Sequence, residues 1–178
     1  MEKGIPEIMK KVVVIGPEST GKSTLCEDLA RFFKIDFLKE YARTYLELNG
    51  AEYTFDDVIK MAEGQIKTQN EFFDSSQSLK LLDTDLYVYK VWIEEIFQKE
   101  IPFVETNIKE STCDLYLLCD TDLPWEYDAF REHSDPKDRI RLFDRYKELL
   151  KNNNENVLVI QGDRESRLQK AIAEIQKM

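Results

Sequence analysis

The stretch that most limits what this chain can fold into is Gly16-Pro17-Glu18-Ser19-Thr20-Gly21-Lys22-Ser23, which fits the pattern G-x-x-x-x-G-K-[ST]. Its surroundings give the pattern meaning. Lys11 to Ile15 is an apolar run of strand length, and Lys22 to about Phe33 carries Leu25, Leu29, Phe32 and Phe33 on one helical face. A strand, a glycine turn and a helix in that order make a loop whose backbone N–H groups point inward at phosphates. Gly16 and Gly21 let the backbone turn and approach oxygen atoms with no Cβ in the way. The helix adds the positive end of its dipole. Lys22 supplies a point charge for β and γ phosphates, and the Ser23 hydroxyl can ligate Mg²⁺. The competing reading is a glycine-rich turn with no ligand.

Further along, short apolar runs alternate with helical patterns. Strands are predicted at Ile35 to Leu38, Leu79 to Leu82, within Asp114 to Cys119, and at Val157 to Ile160. Helices are predicted at Tyr41 to Leu48, from an N-cap at Thr54 to about Phe73, at Leu86 to Gln98, at Lys137 to Lys151, and from Arg164 to the end. Alternation of this kind points to a layered α/β fold with a mostly parallel sheet. The chain reads as one domain over residues 1–178, with a polar, irregular insert at about 124–138.

Composition narrows the partners. The 178 residues carry a formal net charge of -10, against a nucleic-acid surface, which needs clustered Lys and Arg. No apolar run approaches the roughly 18 residues of a membrane span, and the first residues lack a signal-peptide core. A cytoplasmic protein with no membrane insertion is therefore expected; oligomeric state is left open. Cys26, Cys113 and Cys119 form no C-x-x-C pair and the single histidine is His133, so neither a disulfide framework nor a Cys/His zinc site is expected.

Several charged residues fall at predicted strand ends, where open α/β sheets bind ligands. Asp83 follows the third strand, at the position of an aspartate that binds the Mg²⁺ shell. Asp83 and Asp85 flank Thr84, and one carboxylate on the metal with the other on a substrate hydroxyl would be a kinase-like division of labour. Helix capping is the competing role for all three. Thr84 stands where a hydrolytic ATPase wants a glutamate, and a guanine-reading N-K-x-D is absent, so hydrolysis and GTPase switching are disfavoured. Glu40 and Arg43 follow the second strand; a solvated ion pair is their alternative. The insert and its flank hold Arg131, His133, Lys137, Arg139, Arg141 and Arg145. Beside a phosphate loop such a segment reads as a lid that excludes water and neutralises charge. Trp125 and Tyr127 are placed either to stack on a ring or to pack the core.

Taken together, G-P-E-S-T-G-K-S, the E-Y-x-R of Glu40 to Arg43, the L-D-T-D of Leu82 to Asp85, Pro124-Trp125 and Asp138-Arg139 resemble the ribosylnicotinamide kinase domain of NadR-type proteins, from about residue 11 to about residue 170. The resemblance implies a three-layer P-loop kinase fold, a parallel five-stranded sheet with helices on both faces and a lid. It also implies ATP-dependent phosphorylation of the 5′-hydroxyl of nicotinamide riboside, with Mg²⁺. Gly16, Glu18, Ser19, Thr20, Gly21, Lys22, Ser23 and Thr24 would hold ATP. Ser23 and Asp83 would hold the metal. Glu40, Arg43, Asp83, Asp85 and Trp125 would line the riboside side, and Arg131 and Arg139 would belong to the lid. Asp85 is favoured over Glu40 as the base. About ten residues precede the first strand, so the repressor and adenylyltransferase parts of longer family members are not expected here. A kinase for another nucleoside, nucleotide or vitamin, or an ATP-binding regulatory module acting on a partner protein, are the rival readings.

Overall fold

The computed structural model describes residues 8–127 and 135–178. Five strands form one sheet in the order β2-β3-β1-β4-β5, and every pairing is parallel. They are β1 (Lys10–Ile15), β2 (Phe37–Leu38), β3 (Leu79–Asp83), β4 (Leu115–Cys119) and β5 (Val157–Ile160). The helices are α1 (Lys22–Phe33), α2 (Tyr41–Asn49), α3 (Phe55–Phe73), α4 (Leu86–Trp92), α5 (Pro102–Glu110), α6 (Pro136–Asn152) and α7 (Arg164–Ile175), and a π-helical turn, Ile93–Phe97, continues α4.

β1 runs through the centre because both of its faces are apolar. Val13 and Ile15 pack toward α2, α3, α4 and α6, while Val12 and Val14 pack toward α1 and α7. All four are fully buried, and each such side chain contributes roughly 1.5–3 kcal/mol relative to exposure. The fold is therefore the expected three-layer P-loop kinase arrangement. The order β3-β1-β4 puts the exits of β1 and β3 side by side, which is where the phosphate loop and Asp83 meet.

Three local departures from the sequence reading have physical causes. Ile35 ends α1 instead of starting β2. Lys34 is left-handed (φ 56°), and Ile35 N–H returns to Ala30 O at 3.1 Å, so only two residues remain to pair. The helix expected through Gln98 is α-helical only to Trp92 and ends as a π turn. The helix α5 was not anticipated. Its signals are Pro102 in the first turn and Ile101, Val104 and Ile108 at helical spacing, all three buried. Thr54 caps α3 as expected, and with Asp57 it completes a capping box, Thr54 Oγ1 accepting from Asp57 N–H and Asp57 accepting from Thr54 N–H.

α3 positions the start of α2. Gln65 Oε1 accepts from Tyr41 N–H at 3.0 Å, and the Tyr41 ring lies against Gly64, where an added Cβ would sit 2.1 Å from Cε1. Gly64→Ala would raise helix propensity by about 1 kcal/mol. Overpacking against the ring costs about 1–3 kcal/mol and should prevail. Urea unfolding is expected to show a less stable variant; a more stable one would mean that the Tyr41 ring yields freely.

Candidate active site

The loop between β1 and α1 has the backbone its sequence requires. Gly16 has φ 145° and Gly21 has φ 76°. At Gly16 an added Cβ would lie 2.7 Å from the Cys119 carbonyl oxygen, so the residue must be glycine for space as well as conformation. Thr20 Oγ1 and Lys22 Nζ both donate to Pro17 O, at 2.7 Å each.

A loop that turns its N–H groups inward must turn carbonyls outward, and two buried arginines receive them. Arg167 of α7 donates from Nη1 to Thr20 O (2.8 Å), from Nε to Gly162 O (2.8 Å) and from Nη2 to Asp120 O (3.2 Å), and it pairs with Asp122. Arg139 of α6 donates from Nη2 to Ser19 O (3.0 Å) and Leu123 O (3.1 Å). Only 3% of each residue is exposed. Arg139, expected in a lid, is thus a fixed brace beneath the loop. Arg131 and His133 lie outside the described residues. Trp125, expected at the acceptor, instead points its indole N–H to Glu18 Oε1 at 3.4 Å, on the loop's flank, with the exposed Tyr127 edge-on to it.

In front of the loop is a cavity of about 260 Å³, lined by Gly16 to Thr24, Glu40, Arg43, Tyr53, Trp92, Glu95 and Tyr146 among others. Ser23 Oγ donates to Asp83 Oδ2 at 2.6 Å, a short bond to a charged acceptor of the stronger class. Asp83 is 4% exposed and its Oδ1 has no hydrogen-bond partner. Burial raises its pKa, while Lys22 and the Ser23 hydroxyl pull it down. Glu40, the residue before α2, also lines the cavity. Burial first, then the Asp83 charge, push its carboxyl up to about 7, against Lys22 and Arg43. Arg43 lines the same cavity and donates from Nε to Glu47 Oε1 at 3.1 Å, so the ion pair and the cavity position coexist.

Asp85 is not on this cavity, which corrects its placement as the favoured base. Thr84 has φ 70°, a left-handed conformation that is strained for a β-branched side chain. The turn separates its neighbours. Asp83 meets Ser23, while Asp85 caps α4 through Tyr87 N–H (3.0 Å) and accepts from the Tyr116 hydroxyl (2.7 Å). Its pKa is raised by burial, opposed by Lys11 and the Tyr116 bond. The structure thus assigns Asp85 to capping and gathers Lys22, Ser23, Asp83, Glu40 and Arg43.

The sequence reading missed Arg167, Tyr53, Trp92, Glu95 and Tyr146. Arg167 had a faint signal as an arginine on the apolar face of a helix, three residues after Arg164. Removing it would leave the exposed Asp122 and three carbonyls, that of the buried Thr20 among them, without their common donor, and an unpaired buried carbonyl costs about 1–3 kcal/mol. Arg167→Ala is expected to lose stability on that scale and to weaken nucleotide binding. Arg167→Lys should recover only part, because an ammonium cannot reproduce the fork. Denaturant unfolding and nucleotide titration would check both.

The AAA domain family (AAA_28) matches residues 11–167. The trifunctional NAD biosynthesis/regulator protein NadR of Escherichia coli (strain K12) is 30% identical over 178 residues, covering 97% of this chain and 43% of the relative, so the chain spans under half of that protein's length. A crystal structure of NadR protein in complex with NR superposes with a TM-score of 0.78 at 28% identity, over 96% of this chain and 50% of the other. A second, of NadR protein in complex with NAD and AMP-PNP, gives 0.78 at 26%, over 96% and 49%. With a family match over most of its length and the family's phosphate loop at the mouth of its cavity, the chain belongs to the AAA domain family and is built on the P-loop kinase fold.

Proposed function

We propose that this protein is an ATP-dependent kinase that phosphorylates the 5′-hydroxyl of nicotinamide riboside, giving nicotinamide mononucleotide. The observation that carries the reading is one cavity lined by the phosphate loop and by Glu40, a carboxylate of raised pKa, with Asp83 hydrogen-bonded to the cavity-lining Ser23. The NadR relatives, whose solved structures hold NR in one case and an ATP analogue in another, supply the acceptor and the donor.

Lys22 and the loop amides bind the β and γ phosphates and hold the donor in line with the acceptor. Glu40 accepts the hydroxyl proton as the hydroxyl oxygen bonds to the γ phosphorus. The bond from that phosphorus to the β–γ bridging oxygen breaks, and ADP leaves. Among the described residues no cluster of three or more His, Cys, Asp or Glu could hold a metal by itself, but Mg²⁺ is usually held by one or two protein groups together with phosphates. The buried, unpartnered Oδ1 of Asp83 beside Ser23 fits that pattern. Ser23 and Asp83 would hold Mg²⁺, which when bound would neutralise charge on the transferred phosphoryl group. No helix among the described residues is long and apolar enough to cross a membrane, in keeping with the cytoplasmic location we propose.

The direct test is Mg²⁺-ATP with nicotinamide riboside beside a panel of other nucleosides and vitamins, read by product mass. Selective formation of nicotinamide mononucleotide is expected; product from another acceptor alone would replace the substrate and keep the kinase. Lys22→Ala should abolish turnover. Glu40→Gln should lower kcat by about 10²–10⁴-fold with ATP binding retained. Because the base acts in its ionised form, kcat/KM should fall as pH drops, with a midpoint at or below the raised Glu40 value of about 7, since bound Mg²⁺ would pull it down. The Glu40→Gln variant should lack that acid limb, and an unchanged limb would assign it to another group.

A further inference from the structure

Val88, Val91, Trp92, Glu95 and Ile96 all line the cavity. Their spacing is i, i+3, i+4, i+7 and i+8, a single stripe down α4 and its π-helical continuation. A stripe of this kind is normally apolar throughout, and here four members are. Glu95 is the exception, between two and three helical turns beyond the start of α4. It is no surface residue that happens to lie nearby: its side chain is 23% exposed, and Oε2 accepts from Arg141 Nη1 at 2.6 Å. Arg141 itself is 52% exposed, so it holds the carboxylate from the solvent side and does not line the cavity. The π turn that carries Glu95 is a rare element that recurs at functional sites.

The neighbouring wall is aromatic. Trp92 donates from Nε1 to the Tyr53 hydroxyl at 2.9 Å, and the two rings meet edge to face with centroids 4.9 Å apart. The two rings therefore form a locked unit. Aromatic faces carry negative quadrupole density and attract cations, more strongly when solvent is excluded. A carboxylate and an aromatic pair on one wall make an environment that favours positive charge. The charged groups nearer the transferring phosphate, Lys22, Glu40 and Asp83, already have work to do in the proposed reaction.

We infer that Glu95, with the Trp92–Tyr53 pair, is a specificity determinant that selects acceptors whose aromatic base carries a fixed positive charge. The inference rests on the proposed kinase reading and deepens it: the oxidised pyridine ring of nicotinamide riboside is such a base. Its reduced 1,4-dihydropyridine form has nearly the same shape and no charge, and nicotinic acid riboside adds a compensating carboxylate.

The test compares wild type with Glu95→Gln, which keeps side-chain length and a hydrogen-bond acceptor for Arg141, and with Glu95→Lys. Binding of nicotinamide riboside and of its dihydro form is measured calorimetrically with a non-hydrolysable ATP analogue present, and turnover is measured separately with ATP. Wild type is expected to bind the cationic form about tenfold more tightly than the neutral one, a difference a single well-placed charge can supply. Glu95→Gln should erase that preference by raising KM for the cation while leaving kcat within about twofold, and Glu95→Lys should reverse it. The inference is overturned if both forms lose affinity equally in Glu95→Gln, which would mark a packing role, or if neither changes. Charge-selective binding without turnover would sink the kinase reading and leave this one standing. Turnover of the riboside without charge preference would do the opposite.

Discussion

The structure depends on a requirement of the phosphate loop: backbone groups that turn their N–H inward must find partners for the carbonyls turned outward. Unpaired buried carbonyls are costly, about 1–3 kcal/mol each. Here Arg139 takes Ser19 O and Arg167 takes Thr20 O. Those same guanidiniums reach Leu123 O, Gly162 O and Asp120 O. The loops after β4 and β5 and the helices α6 and α7 are therefore tied to one point. The sheet order brings these segments near each other, and the two arginines set their spacing. Bonds to these outer carbonyls restrain the loop, and donors held in place without reorganisation are the ones that stabilise developing charge best.

The second constraint is Thr84. In an extended chain, residues 83 and 85 would project to the same side, and the reading of Asp83 and Asp85 as partners assumed something close to that. The left-handed Thr84 breaks the alternation. Asp83 goes to Ser23, which lines the cavity, and Asp85 goes to the start of α4 and Tyr116. With Asp85 withdrawn, Glu40 is the cavity-lining carboxylate whose charge couples to Asp83 and Lys22. Its position is set by Gln65 and Gly64 of α3, some 25 residues away in sequence.

These two constraints explain which features were legible in the sequence. The phosphate loop, β1, α1 and the Thr54 N-cap are local, so residue type and spacing suffice to read them. The alternation of strands and helices likewise revealed a parallel α/β sheet, because a five-stranded core needs apolar runs at each strand. What could not be read depends on backbone angle or distant packing. Nothing in D-T-D announces a positive φ at a threonine. An arginine at position 139 looks the same whether it swings over a phosphate or is buried under one, and the charge-rich segment around it made the mobile role the natural reading. Arg167 sits at the end of the chain farthest from the loop it braces. Trp92 and Tyr53 are ordinary core aromatics until α4 and the segment after α2 are brought together.

The costs in this molecule gather where the chemistry is. Asp83 is buried with one oxygen unpartnered, Glu40 is held above the usual carboxylate range, and Thr84 sits in a strained conformation. Each lies at the C-terminal edge of β2 or β3. Strain and desolvation of this kind persist only where the surroundings over-determine them. The surroundings here are β1 and its neighbours: Val12 to Ile15, Leu81, Leu82, Leu117 and Leu118, none more than 1% exposed. A loop braced by arginines and strands packed on both faces hold three unfavourable groups close together, and these are the groups a phosphoryl transfer can use. Asp83 and Glu40 repel each other, so a cation neutralising Asp83 would lower the Glu40 pKa. By linkage, protonation of Glu40 would weaken the hold on that cation. In the proposed reaction, metal binding and base ionisation would be two readings of one electrostatic coupling.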